Sequence, residues 1–167
     1  MIRKKMVNLG LKALFTLFSL ISLCVSATNI QITGNYSVPA SFSSTDTLIF
    51  TKTTTEISYI ILTQSLTLQQ IQLCPNCYLL FNQGVTLNCG SIQLPSNQLC
   101  GFVFNGNSVV VTSSPINFYS QNSISVTSGV AVISSSIIIS SATINVAVSS
   151  PTCVSIFFLR RKKQNLF

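Results

Sequence analysis

The sequence predicts an all-β protein, and more narrowly a right-handed parallel β-helix with three short strands per coil. Three observations point there. Between its ends the chain is a succession of short β-branched segments alternating apolar with small polar residues and bounded by Ser, Asn, Gly or Pro, such as Thr47-Leu48-Ile49-Phe50, Val85-Thr86-Leu87-Asn88 and Ser123-Ile124-Ser125-Val126. Outside the N-terminus no window sets apolar residues at helical spacing, and Ala, Glu, Lys and Arg are too rare to favour helices. Apolar pairs recur about every seven residues and, taken in threes, about every 21, the arithmetic of a solenoid. An antiparallel β-sandwich is the alternative, since it too has many short strands with turn signals. Its strands are spaced more widely, at about 8–12 residues.

The chain opens on a targeting segment. Arg3, Lys4, Lys5 and Lys12 form a basic region, and Ala13 to Cys24 an apolar one. Val25-Ser26-Ala27 then sets short residues where a signal peptidase reads, so residues 1–27 are expected to be a signal peptide cleaved after Ala27. The competing reading is an uncleaved anchor, because Leu9 to Val25 is nearly long enough to span a bilayer. A lipid-modified Cys24 is disfavoured by the bulk of Leu23. Residues 28–46, with Gly34, Pro39 and the glycosylation acceptor Asn35-Tyr36-Ser37, are expected to cap the N-terminal end of the solenoid.

Residues 47–150 carry the repeat. In the C-terminal half the apolar pairs are Val109/Val111, Ile116/Phe118, Ile124/Val126, Val130/Val132, Ile137/Ile139 and Ile144/Val146. Val109 then falls on Val130, Ile116 on Ile137 and Ile124 on Ile144. One round back stand Val85/Leu87, Ile92/Leu94 and Phe102/Phe104, and before them Leu66/Leu68, Ile71/Leu73 and Tyr78/Leu80. These side chains are expected to fill a narrow interior while Ser and Thr face water. Asn88, Asn105, Asn107, Asn122 and Asn145 fall near strand ends, where turns need left-handed or bridging backbone angles and stacked amides can form ladders.

After Pro151 the repeat is expected to stop, leaving residues 151–167 as a basic tail in which Val154 to Leu159 runs into Arg160-Arg161-Lys162-Lys163. One reading is a membrane anchor with a stop-transfer cluster. The other is a processed tail or a longer surface protein cut short. The last coil would then be open, and the isolated chain is expected to self-associate edge to edge.

The cysteines suit an oxidising compartment. Cys74, Cys77, Cys89 and Cys100 cluster, which in a secreted chain suggests two disulfides in any of three pairings, with Cys153 left over. Cys74-Pro75-Asn76-Cys77 has the gap of a zinc or redox motif. Zinc wants a second close pair or histidines, and the chain has no histidine. No metal or cofactor is expected.

Charge excludes more than it identifies. The formal +7 includes the four cations of the leader and the four of the tail; between Thr28 and Leu159 stand only Asp46, Lys52 and Glu56, one base against two acids. A nucleic-acid binder needs a basic face that follows its fold, so nucleic acid is not an expected partner. General acid–base chemistry needs positioned titratable groups. Asp46 and Glu56 are the only carboxylates, and a glycosidase would need them to flank one bond. No catalytic residue is expected.

The low-charge runs NSVVVTSSPINFYSQNSISVTSGVAVISSSIIISSATINVAV and LLFNQGVTLNCGSIQLP resemble the right-handed β-helix, or pectin-lyase-like, surface proteins of microbes and protists, over about Leu48 to Val148. That architecture includes polysaccharide lyases and hydrolases as well as adhesins and wall proteins. Its enzymes use clustered aspartates, or an Arg or Lys base with bound calcium, and this chain offers neither. The expected function is therefore a secreted, non-catalytic structural or adhesive cell-surface protein whose partners are glycans or other surface proteins. A carbohydrate-active β-helix enzyme, a membrane-anchored surface protein and an ice- or crystal-binding solenoid are the alternatives. The last would want a more regular threonine ladder than the one dense run at Thr51 to Thr55.

Overall fold

A computed structural model of the chain describes residues 26–139 together with the backbone of two later strands, Val146–Val148 and Ser155–Phe158. The leader, Asn145, Cys153 and the cluster Arg160 to Lys163 lie outside the described residues. The strands run in the order β1 (Ala27–Ile32), β2 (Tyr36–Ser37), β3 (Thr47–Lys52), β4 (Ser58–Leu62), β5 (Leu66–Gln72), β6 (Cys77–Asn82), β7 (Thr86–Gln93) and β8 (Cys100–Asn105). They continue with β9 (Ser108–Thr112), β10 (Ile116–Phe118), β11 (Asn122–Ser128), β12 (Val130–Ser134), β13 (Ile137–Ile139), β14 (Val146–Val148) and β15 (Ser155–Phe158).

Every strand pairs in parallel with the strand one coil away. One sheet runs β1-β3-β5-β7-β9-β12-β15, a second runs β2-β4-β6-β8-β11-β14, and β10 pairs with β13. Parallel neighbours need a long connection between them, and here the connection is the rest of the coil. Cys77 pairs with Cys100 and Cys100 with Asn122, one turn of chain apart each time. The fold is a parallel β-solenoid, and the antiparallel sandwich is excluded.

Each coil has three sides. The first is formed by Leu66–Leu68, Thr86–Cys89, β9, β12 and β15, and the third by β2, β4, β6, β8, β11 and β14. The second holds β3, the later parts of β5 and β7, and then β10 and β13. Thus β3 pairs with β5 only over Thr47↔Gln70, Leu48↔Ile71 and Ile49↔Gln72. Strands β5 and β7 round the corner from the first side to the second without a break, and there the alternation of burial slips at Gln69–Gln70 and Gly90–Ser91. Gly90 is needed at that corner, because a Cβ would collide with the Gln69 carbonyl oxygen.

The interior is made of columns. Leu66, Leu87, Val110 and Ile133 stack on the first side; Ile60, Leu79, Phe102 and Ile124, then Leu62, Phe81, Phe104 and Val126, stack on the third. All are buried, each side chain contributing about 1.5–3 kcal/mol. Phe81 stacks on Phe104 at 4.7 Å between centroids, and Phe102 meets Phe118 edge-on at 5.6 Å.

Several expected equivalences are corrected by this register. Val109 pairs with Val132 rather than Val130, and Ile124 with Val146 rather than Ile144. Val109, Val111, Val130 and Val132 lie half-buried on the outside while Val110, Ala131 and Ile133 fill the core. Tyr78 and Leu80 likewise face out, and Leu79 and Phe81 face in. In a run of consecutive apolar residues both phases of the alternation are apolar, so pattern alone cannot choose the inward one. The pairs Ile116–Ile137 and Ile71–Ile92 stand as expected.

The left-handed residues other than glycine are Asn76 (φ 57°) and Asn97 (φ 54°) among those described, not the asparagines singled out from the sequence. Those do stack in part: Asn105 pairs with Asn82, and Asn107 Oδ1 accepts from the Val130 N–H at 2.9 Å. At the ends, the segment expected as a cap contributes β1 and β2 to the stack, and β15 lies within the segment expected as tail.

Candidate functional site

The three charged residues of the body do not converge. Asp46 precedes β3 and Glu56 follows it, so about 20 Å of extended chain separates them. Asp46 is occupied locally: its Oδ2 accepts from the Ser43 N–H at 2.7 Å, and its carbonyl receives the N–H of Gln69 at 2.9 Å. Glu56 is exposed in the loop between β3 and β4. Lys52 ends β3 with its Nζ buried and without a hydrogen-bond partner among the described residues.

The cysteines divide. Cys74 and Cys77 form a disulfide, closing the corner between the second and third sides. Cys89 and Cys100 are buried free thiols, so the second disulfide expected from the sequence is not formed. The reason is placement: Cys89 ends the first-side part of β7, whereas Cys100 begins β8 at the next corner. Burial pushes the Cys89 thiol up to about 11 and the Cys100 thiol up to about 12. Among the described residues no group of three or more His, Cys, Asp or Glu could hold a metal ion. Asn35, the glycosylation candidate, is exposed between β1 and β2, with its Oδ1 accepting the Tyr59 N–H at 3.0 Å.

A concavity lies on the second side, where the sheet splits. The bonds joining two coils run through Ser113 N–H to the Cys89 carbonyl and Ser114 N–H to the Gly90 carbonyl, at 3.2 and 3.0 Å. The next residue is Pro115, which brings no N–H. Beyond it β10 pairs only with β13, and Ser91–Gln93 of β7 pairs back to β5. A groove of about 520 Å³ opens between them, lined by Ser91, Ile92, Gln93, Leu94, Ser114, Pro115, Asn117 and Tyr119. Its polar groups are hydroxyls and amides, and none of these residues carries a charge.

Asn122 fixes the end of this groove. Its Oδ1 accepts the Tyr119 N–H at 2.8 Å, and its own N–H donates to the Tyr119 carbonyl at 2.9 Å, closing a tight turn. Its buried Nδ2 donates to the carbonyls of Gln98 (3.0 Å) and Pro95 (3.3 Å) and to Cys100 Sγ (3.0 Å). Ser120 Oγ donates to Asn97 Oδ1 at 2.9 Å, tying the same turn to the Pro95–Leu99 loop. Tyr119 is thus held by its backbone on two sides. Asn122 was legible in the sequence as a strand-end asparagine, but the groove was not, because a missing ladder between coils is not a local pattern.

Two other outward features are less enclosed. A smaller hollow of about 310 Å³ lies over the first corner, between Thr67, Asn88, Val111 and Thr112. On the third side Tyr59 and Tyr78, paired across adjacent coils, lie 6.1 Å apart with rings tilted by 38°.

Comparison of the chain with protein-family models, with curated proteins and with solved structures finds no match.

Proposed function

We propose that this chain is a secreted, non-catalytic structural or adhesive protein of a cell surface, which meets glycans or neighbouring surface proteins through its uncharged walls. The observation that carries this reading is the chemistry of the exterior. From β4 to β13 the outward positions hold Ser, Thr, Asn, Gln, Tyr and aliphatic side chains with no acid or base among them. Such a wall offers neutral hydrogen bonding on a rigid rod, but no proton donor or acceptor for turnover.

The separation of Asp46 from Glu56 supports the same view, because two carboxylates at opposite ends of one strand cannot flank a glycosidic bond. The disulfide supports export to an oxidising compartment, as does the leader with its expected cleavage after Ala27.

The test is expression in a eukaryotic secretory host. A mature chain beginning at Thr28, recovered from the medium and binding intact cells or wall material without releasing sugar products, is the expected outcome. Retention of the protein in the cytosol, or release of reducing ends or unsaturated sugars from a polysaccharide, would refute it.

A further inference from the structure

We infer that the groove between Gln93 and Asn117 is a binding site for a neutral polysaccharide chain, with Tyr119 supplying the ring on which a sugar stacks. The inference rests on the adhesive reading above and names its site. At about 520 Å³ the groove falls within the range of small-molecule sites, about 300–1,000 Å³.

The lining selects the ligand class. Ser91, Ser114, Gln93 and Asn117 present groups that both donate and accept, which is what a sugar hydroxyl requires of its partner. Pro115 and Tyr119 provide apolar surface for the C–H faces of a pyranose ring, with Ile92 and Leu94 buried beneath the groove. A uronate or sulfated chain would bring its anion to a site with no cation to meet it, and burying an unpaired charge is costly. The body's one lysine, Lys52, is not part of the lining.

Geometry places the polar groups on opposite walls. Gln93, on the coil that pairs back to Gln72, and Asn117, on the following coil, both border the groove. The ladder is missing between these two coils, so the groove runs between them and a chain lying in it meets one amide from each wall. The rim is also pre-set: Asn122 and the Asn97–Ser120 bond hold the Tyr119 turn before any ligand arrives, which lowers the ordering cost of binding. The third-side tyrosines differ, since the outward neighbours of Tyr59 and Tyr78 along their strands are Ile61 and Leu80.

The experiment is calorimetric titration of the secreted protein with hexasaccharides of β-1,4-glucose, β-1,4-xylose and β-1,4-mannose, and with oligogalacturonate of equal length. Wild type, Tyr119→Ala, Asn117→Ala and Tyr59→Ala are compared, with each variant's fold checked by circular dichroism. Binding of at least one neutral hexasaccharide, weakened about tenfold by Tyr119→Ala, weakened also by Asn117→Ala and unchanged by Tyr59→Ala, is the expected result. Equal or tighter binding of oligogalacturonate would overturn the inference. So would neutral binding that Tyr119→Ala leaves untouched, or no binding to any member of the panel. In these last cases retention of wild-type protein on intact cells would show that the adhesive reading survives the loss of this site.

Discussion

Asn122 stands one coil beyond Cys100 in the same inward column, and its Nδ2 donates to the Cys100 sulfur at 3.0 Å. The column continues back through Cys77 to Ser58, so the corner between the second and third sides is lined by small polar or sulfur-bearing residues. All four are buried. Asn122 is the only one that reaches out of its own coil's turn to the carbonyls of Pro95 and Gln98. Replacing it with Leu removes those bonds and strands their acceptors. The expected cost of Asn122→Leu is about 2–4 kcal/mol, read as a lower urea midpoint at unchanged slope. A midpoint within error of wild type would mean that the Pro95–Leu99 loop holds itself.

The buried thiols set a pH dependence. Cys89 and Cys100 ionise at about 11 and about 12 in the folded protein against 9.0 when free, because burial disfavours the thiolate. Asn122 partly opposes this at Cys100, and the carbonyl-bonded Cys89 donates to Ser91 at 3.0 Å. The folded state therefore holds more protons than the unfolded state between pH 9.0 and about 12. Stability is full below pH 9 and falls as pH rises through that window. A Cys89→Ala, Cys100→Ala double variant should show a shallower decline. Peptide-level alkylation at pH 8 should leave both thiols unlabelled in native protein, with Cys74 and Cys77 recovered as one cross-linked peptide. Rapid native labelling of Cys100 would contradict its burial.

How much of this was legible in the sequence depends on which residues are considered. Ile116 sits in a clean alternation, Ile116-Asn117-Phe118 behind Pro115, so its pairing with Ile137 follows from the repeat even though Ile137 opens a run of three isoleucines. Val109, Val110 and Val111 do not, because three adjacent valines satisfy either phase of a strand and only the neighbouring coils decide between them. Asp46 and Glu56 were recognisable as the only carboxylates, but their distance depended on knowing that β3 runs straight between them. The free state of Cys100 was illegible for another reason. Its column neighbour Cys77 is already bonded to Cys74, a choice made by corner geometry and not by spacing.

The valine phase is itself testable. Val110 is fully buried between Leu87 and Ile133, whereas Val109 is half-buried on the outer face. Val110→Thr exchanges a methyl for a hydroxyl that has no partner in an aliphatic column, and should cost about 1–3 kcal/mol. Val109→Thr places the same hydroxyl against water and should change stability by less than about 0.5 kcal/mol. Thermal unfolding of the two variants side by side decides the register. The reverse order would restore the phase in which Val109 points inward.

Gly101 and Gly84 make a second matched comparison, this time of space against backbone angle. Both are left-handed, with φ of +149° at Gly101 and +80° at Gly84. A Cβ at Gly84 would meet nothing within 4 Å, so Gly84→Ala should cost only backbone strain, about 1–2 kcal/mol. At Gly101 the added carbon would run into the backbone carbonyl of Ser123, its partner in the next coil. That oxygen belongs to the ladder and cannot swing aside as a side chain would, so the β8–β11 pairing has to open locally. Gly101→Ala should therefore cost at least about 2 kcal/mol more than Gly84→Ala, and should raise amide hydrogen exchange in β8 and β11 while leaving β5 and β7 protected. Equal costs for the two variants would mean that the contact between β8 and β11 is looser at Gly101 than the parallel register requires.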